Sequence, residues 1–417
     1  MKNIYDVIVV GGGTAGIIAA IQSARTGALT LLVEKNGILG GTMVSAKVPH
    51  PSSFHAYGKQ IIAGIGWELC YQTRKETGEP IPEPDPTIPR STFHVNPAVF
   101  AALADEKLIQ ANAKILFHAM PAEVVWKGNL WSVTFCTKTG LKHFKSKVLV
   151  DCTGDANVVT LAGFPVNVNA DLQPATLMMR AGGYDASKLD YQRIQEAFEK
   201  EVSTGNMKYE YAGWGHGKFE FFLKGYGVNR IHISGINAST SEGKTEAEIE
   251  GRKAMLSILR FCRKQPGLEN FKIEWCADEC GIRETVTIKG KKFITAEDYE
   301  NGKMWDDAVC YSFYPVDIHR PDHLVFRMLK PEVYPTIPLG AMLPVKSTNL
   351  VVAGRCISGD QAASSAYRVE ASCMAMGQSA GAAAALAALQ DAEIENLKIE
   401  DIHNLLRKHN AIIPGDI

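Results

Sequence analysis

The stretch "YPVDIHRP" sets Asp317 and His319 two positions apart. On an extended segment such side chains face one side. A histidine oriented by a carboxylate accepts a proton near neutral pH, the step that oxidation of an alcohol requires. The competing reading is a loop histidine bonded to backbone. Arg283 in "GIRET" and Arg368 in "AYRVE" carry guanidiniums that match a carboxylate with two parallel bonds. Glu284 and Glu370 stand close by in sequence, so structural ion pairs are the alternative for both arginines. Tyr311 and Tyr314 are pocket candidates or plain core aromatics. Cys356 in "GRCIS" is a cofactor contact or a small apolar filler.

Other elements must hold these side chains in place. Residues 6–10 are an apolar run of strand length, and Gly11, Gly13 and Gly16 then spell G-x-G-x-x-G. An alanine-rich helix follows, and a second strand over 29–33 ends at Glu34. Strand, glycine turn, helix, strand and acid is the order of a dinucleotide fold. The free N–H groups at the helix start face a pyrophosphate, and Glu34 is placed to accept from a ribose. After the second strand, Gly40, Gly41 and Thr42 lead into a long irregular segment rather than another strand–helix unit. That suits a bulky flavin better than a nicotinamide.

Composition narrows the class further. The chain has 417 residues, 46% hydrophobic and 21% charged, with a formal net charge of −1. That balance argues against an electrostatic nucleic-acid binder. Nine scattered cysteines form no C-x-x-C pair and read as reduced thiols, so no metal site is expected and the expected location is cytoplasmic. The first strand begins too early for a signal peptide. The small-residue run 375–389, interrupted by Gln378 and Ser379, reads as too short to span a bilayer.

Two further stretches make the pattern specific. "KVLVDCTGDANVV" is a strand running into Thr153, Gly154 and Asp155, and "NLVVAGRCISGD" is a strand ending at Gly354 with Asp360 beyond. With the N-terminal motif and "RVEASCMAMGQSAG", the chain resembles FAD-dependent oxidoreductases of the glutathione-reductase-like superfamily. It looks most like a bacterial group whose substrate is unassigned. The resemblance covers nearly the whole chain. It implies that Gly11, Gly13, Thr14, Ala15 and Gly16 meet the pyrophosphate and that Glu34, with Lys35 beside it, meets the adenosine ribose. Gly41 and Thr42 would lie along the pyrophosphate or flavin. Val124, Thr153, Gly154 and Asp155 would close the adenosine end, and Gly354 and Asp360 would meet the ribityl segment. A helix beginning near 374–377 would aim its positive end at the flavin, with Ala375 and Gly377 small enough for a flat ring to approach. His50 and His55 lie where some flavoproteins contact the ring, but non-covalent FAD is the expectation. Related sequences follow "GIRET" with a second arginine. Val286 and Thr287 stand there here, which implies a different or less polar substrate.

The expected fold class is α/β: a discontinuous Rossmann-like FAD-binding domain with a parallel sheet and a β-meander, plus an α+β substrate or cap domain. The division expected is 1–162 and 334–417 for the FAD domain and 163–333 for the cap. The meander comes from "AEVVWKGNLWSVTFCTKTGLKHFKSKVLV", with turns at Gly128 and Gly140. In the cap, "ATLMMRAGG", "FEFFLKG" and "NRIHISGIN" read as strands, and "TEAEIEGRKAMLSILRFCRKQ" reads as an amphipathic helix. The Pro-rich segment 76–90 reads as a loop over the site. No second G-x-G-x-x-G follows a strand, so a separate electron donor or acceptor is expected. The functional expectation is hydride transfer between flavin N5 and a small organic molecule. Its alternatives are a flavin-dependent reductase of an unsaturated acid and an RNA-modifying flavoprotein.

Overall fold

In the computed structural model, which describes residues 2–81, 83–213, 217–320 and 323–417, Val7, Ile8, Val9 and Val10 of the first strand, Ile4–Val10, are all buried. A strand apolar on both faces is stable only inside a sheet covered on both sides. Its neighbours on one side are Thr30–Val33 and then Lys114–Leu116, all parallel. On the other side lies Gly140–Asp151, also parallel to it. This strand, 12 residues long, serves two structures. Its first part pairs antiparallel with Trp131–Thr137, which pairs in turn with Met120–Trp126. Its last part pairs in parallel with Leu350–Val352. The expected parallel sheet and meander are therefore one continuous sheet. Trp131 Nε1 fastens the junction, lying 3.1 Å from Thr348 O and 3.0 Å from Asn349 O.

Helix Thr14–Arg25 packs on the C-terminal helix Glu370–Gln390. The contact is close because both surfaces are small. A Cβ on Gly377 would fall 2.2 Å from Ala15 O, and one on Gly381 would fall 2.4 Å from Ala19 O. Small residues four apart on one helix face let the backbones meet. This corrects two expectations. The helix begins at Glu370, so Ala375 and Gly377 lie beyond its first turn, and Gly377 is used to seat a neighbouring helix. At 21 residues the helix is long and apolar enough to cross a membrane, but 89% of its most apolar window is buried within the fold.

A second core gathers side chains from Ala175 to Cys280. It includes helix Ser241–Cys262, capped by Thr240 accepting from the Gly243 N–H. Two small sheets complete it, Ala175–Leu177 with Ile231–Ile233 and Met179–Gly182 with Lys272–Cys276. "FEFFLKG" is a helix here, Phe219–Lys224, not a strand. Phe219, Phe222 and Leu223 are buried while Phe221 is exposed, which is a helical rather than an alternating pattern. Val286, Ile288, Ile294, Tyr299, Leu329 and Ile337 pack into the first core instead of the second. The second core thus takes its buried side chains from Ala175 to Cys280, and these later ones belong to the first.

Candidate active site

The first site is the glycine turn at the carboxyl end of the sheet. Gly11 has φ +101°, and a Cβ there would collide with Cys152 O at 2.4 Å. Gly16 seats its helix against Gly11, where a Cβ would fall 1.8 Å from the Gly11 carbonyl oxygen. Gly13 meets nothing within 4 Å of a Cβ position, so its surface is open. The helix beginning at Thr14 has no side-chain cap and no acid in its first turn. An uncapped helix start beneath a bare glycine is a phosphate cradle. The turn after the second strand closes against it: Gly40 N–H donates to Gly12 O at 2.8 Å, and a Cβ on Gly41 would lie 2.9 Å from the Gly13 Cα. Thr42 is exposed beside this turn. Gly354 lies next to Ala15, where a Cβ on the glycine would fall 3.7 Å from the alanine methyl.

The remaining nucleotide candidates are held by the protein in definite ways. Glu34 accepts from Gly12 N at 2.6 Å and from Asn36 N at 2.8 Å. Burial raises its carboxyl above the usual range against the pull of those bonds. Lys35 pairs with Glu279 at 3.2 Å. Val124 is a buried meander residue opposite Val133. Thr153 donates to Asp151. Asp360 caps helix Gln361–Tyr367 through the Ala363 N–H and also accepts from Ala296 N. Its carboxylate is engaged with backbone on both oxygens.

The segment "GIRET" connects this cradle to a second cluster, residue by residue. Arg355 donates to Gly154 O, to Ile282 O and to Asp155. Thr285 Oγ1 donates to Asp155 Oδ1 at 2.8 Å. Between them Arg283 points the other way, toward the second core. It donates to Pro174 O at 2.8 Å, to Thr176 Oγ1 and to Asn229 Oδ1, and its Nη2 lies 3.5 Å from His232 Nε2. Glu284 accepts from Asn169 Nδ2, Gln173 N and Gln361 Nε2. It is thus committed to amides, and the ion pair with Arg283 expected as an alternative does not form.

The four residues proposed from sequence for chemistry do come together. His319 Nε2 lies 3.3 Å from Asp317 Oδ2 on strand Val316–His319. Arg368 Nη2 donates to Asp317 O at 3.1 Å and stands 3.9 Å from its carboxylate. Burial first, and the Arg283 charge second, hold His319 down at about 4. Burial, then the nearby Arg368 charge, brings Arg283 to about 9. Burial pushes Asp317 upward, but the His319 bond and the adjacent cations hold it below the ordinary range.

Sequence reasoning missed His232. Its ring meets the His319 ring edge to face, with centroids 5.4 Å apart at 88°. The alternation in "RIHIS" carried a signal, because Ile231 and Ile233 share one face and leave His232 on the other. Arg355 was also missed. Cys356 is buried, and Tyr311 donates no chemistry beyond accepting from Gly415 N. His55 packs edge-on against Trp67 and His50 against His94. Among the described residues no group of three or more His, Cys, Asp or Glu is placed to hold a metal.

A phosphate-accepting helix start at the carboxyl edge of a parallel sheet defines a dinucleotide-binding protein. Comparison with known proteins fixes which one: the chain belongs to the FAD dependent oxidoreductase family, whose model matches residues 6–406. FAD is its cofactor and it is an oxidoreductase. Thioredoxin reductase of Bacillus subtilis (strain 168) is 25% identical over 242 residues, 49% of this chain and 68% of that protein. Dihydrolipoyl dehydrogenase of Trypanosoma brucei brucei is 49% identical over 55 residues, 13% of this chain, so the match spans only 12% of that relative. Among solved structures, a geranylgeranyl bacteriochlorophyll reductase-like protein from Thermoplasma acidophilum covers 97% of this chain and 84% of its own, with 13% identity and a TM-score of 0.47.

Proposed function

We propose that this oxidoreductase transfers a hydride between FAD and a small organic molecule carrying an anionic group, a carboxylate being the best match. The observation that carries this reading is the setting of Arg283. Its guanidinium bonds to neutral groups, and among the described residues no carboxylate forms an ion pair with it, Asp317 acting on it only from further away. A buried cation with no carboxylate in contact is costly, and a planar carboxylate is the partner its fork fits. Bound FAD supplies the acceptor or donor of the hydride. His319, neutral at physiological pH, takes the proton that leaves an oxidised hydroxyl or returns it in reduction, with Asp317 fixing the ring. The alternating partners of "GIRET" support placing this chemistry beside the cofactor, since the same five residues touch the nucleotide loop and the cluster.

The backbone character of the phosphate cradle supports non-covalent FAD. Nine free cysteines support a reducing, cytoplasmic setting and a separate electron partner. The test is an anaerobic titration of the FAD-loaded protein with hydroxy acids, unsaturated acids, sugars and amines, followed by the flavin band. Bleaching by a hydroxy acid, or reoxidation of the reduced protein by an unsaturated acid, is the expected result and sets the direction. Response to neutral sugars or amines alone would overturn the anionic reading.

A further inference from the structure

Strand Ala175–Leu177 pairs antiparallel with Ile231–Ile233, and the register sets Thr176 opposite His232. Ala175, Leu177, Ile231 and Ile233 turn into the second core. Alternation therefore puts Thr176 and His232 side by side on the other face. Thr176 N–H donates to Gly281 O at 2.9 Å, and Gly281 N–H returns a bond to Thr176 O at 2.8 Å. That exchange falls two residues before Arg283 and brings its guanidinium onto this face, where it meets both side chains.

The two arms of the guanidinium are held unequally. Nη1 donates to Pro174 O at 2.8 Å and also to Thr176 Oγ1. Nη2 reaches Asn229 Oδ1 at 3.3 Å and His232 Nε2 at 3.5 Å, both long bonds. Long bonds are weak, so Nη2 is the arm that an incoming anion takes over. Arginine can only donate, so His232 Nε2 accepts, the ring proton sits on Nδ1 and the ring is neutral. Burial and the Arg283 charge both oppose a second proton there.

His319 is in the opposite state. Its Nε2 faces the Asp317 carboxylate at 3.3 Å, so Nε2 carries the proton and Nδ1 is the basic nitrogen. The two rings meet edge to face, and both are buried, at 3% and 6% exposure. His232 thus touches the anion-binding arm with its lone pair and the proton-accepting ring with its body.

We propose that His232 is a positioning residue for the reaction: fixed as the Nδ1–H tautomer, it aims the Nη2 arm of Arg283 at the substrate anion and walls the His319 ring. This rests on the anionic-substrate reading and deepens it. One imidazole then sets the place of the anion against the place of the departing proton, which is the alignment that a bound substrate requires.

The FAD-loaded protein, with its histidine ring nitrogens isotopically labelled, is titrated with acetate at neutral pH and read by NMR. The His232 signals are those lost in His232→Gln. They are expected to show the Nδ1–H form, with His319 in the Nε2–H form, and acetate is expected to shift both rings. His232→Phe keeps a ring against His319 but has no acceptor. It is expected to bind acetate about fivefold more weakly, the loss of one hydrogen bond. His232→Gln offers an amide oxygen to Nη2 and is expected to stay within about twofold of the unsubstituted protein. Flavin content shows that each variant is folded, and where His232→Phe loses flavin the tautomer of the unsubstituted protein decides. An Nε2–H or doubly protonated His232 overturns the proposal, as does a His232 signal unmoved by acetate that shifts His319. Equal acetate affinity in the two variants, unchanged or weakened alike, also overturns it. Each of these leaves the anionic reading standing, whereas acetate that shifts neither ring overturns both.

Discussion

Arg355 grips Asp155 with Nη2 at 2.6 Å from Oδ1, and through its further bond to Ile282 O it joins the nucleotide loop to the segment that carries Arg283. The same guanidinium reaches Gly154 O and Ile282 O, so one side chain spans three segments distant in sequence. It is little exposed, with 17% of the side chain accessible. A planar fork satisfies all three acceptors at once, which an ammonium cannot.

Arg355→Lys should therefore loosen both sites together. Loss of bonds to a carboxylate and buried carbonyls is expected to lower the stability of the FAD-loaded protein by about 1.5–3 kcal/mol. Thermal unfolding with FAD bound measures this. An unchanged transition would deny the bridge any energetic weight.

Arg283→Met separates function from stability. Replacing it removes the cost of a buried cation with no carboxylate in contact but takes a donor from Pro174 O, Thr176 Oγ1 and Asn229 Oδ1, so the two effects oppose and the unfolding temperature should change little. Turnover of an anionic substrate should fall by about tenfold or more, with flavin retained. A large loss of stability with substrate affinity intact would mark Arg283 as a structural residue.

His319 sets a pH signature. With the imidazole held at about 4, it is a neutral proton acceptor across the neutral range. The rate of flavin reduction should be flat above pH 6 and fall only as pH approaches 4. His319→Ala should slow reduction, keep the flavin and lose that acidic limb. Normal reduction kinetics in the variant would remove His319 from the reaction.

The same burial links pH to stability. His319 and His50 both sit near 4 in the folded chain, while unfolded histidine takes up its proton near 6.5. Between those values the unfolded chain binds more protons at these histidines, so their contribution to stability should fall as pH drops from 6.5 to about 4, while Glu370, raised by burial to about 7, contributes in the opposite sense between 7 and 4.5. Fully buried His319 contributes on the order of 3 kcal/mol across that window. Denaturant unfolding of the Glu370→Gln variant at pH 7 and pH 4.5 isolates the histidines, and equal midpoints there would show them to be solvated.

Glu34→Ala should weaken FAD retention by about 1.5–3 kcal/mol, because the carboxylate fixes Gly12 of the cradle turn. Fluorescence titration of the stripped protein with FAD reads the change. Unchanged affinity would confine Glu34 to shaping the turn.

Much of the cofactor fold was legible because its signals are local. Glycine spacing, strand length and the acid at residue 34 all fall within one unit of chain. Asp317 and His319 were legible as a pair for the same reason, two positions apart on one strand. His232 was not, because its partner His319 comes from another strand and meets it only through tertiary packing. Arg355 was hidden likewise, since its acceptors come from two segments distant from it in sequence, Gly154 with Asp155 and Ile282. The small-residue helix misled in part. Gly377 and Gly381 mark a close approach, and composition alone does not say whether a ring or a helix is what approaches.

That helix contact also orders events in time. The phosphate cradle opens helix Thr14–Arg25, while the helix that braces it through Gly377 and Gly381 is not begun until Glu370. Contacts of such large sequence separation form late. During translation the nucleotide turn waits, unbraced, until the chain between the two helices and the second helix itself have emerged. Uptake of FAD therefore awaits that contact, and chains cut before residue 370 should emerge colourless.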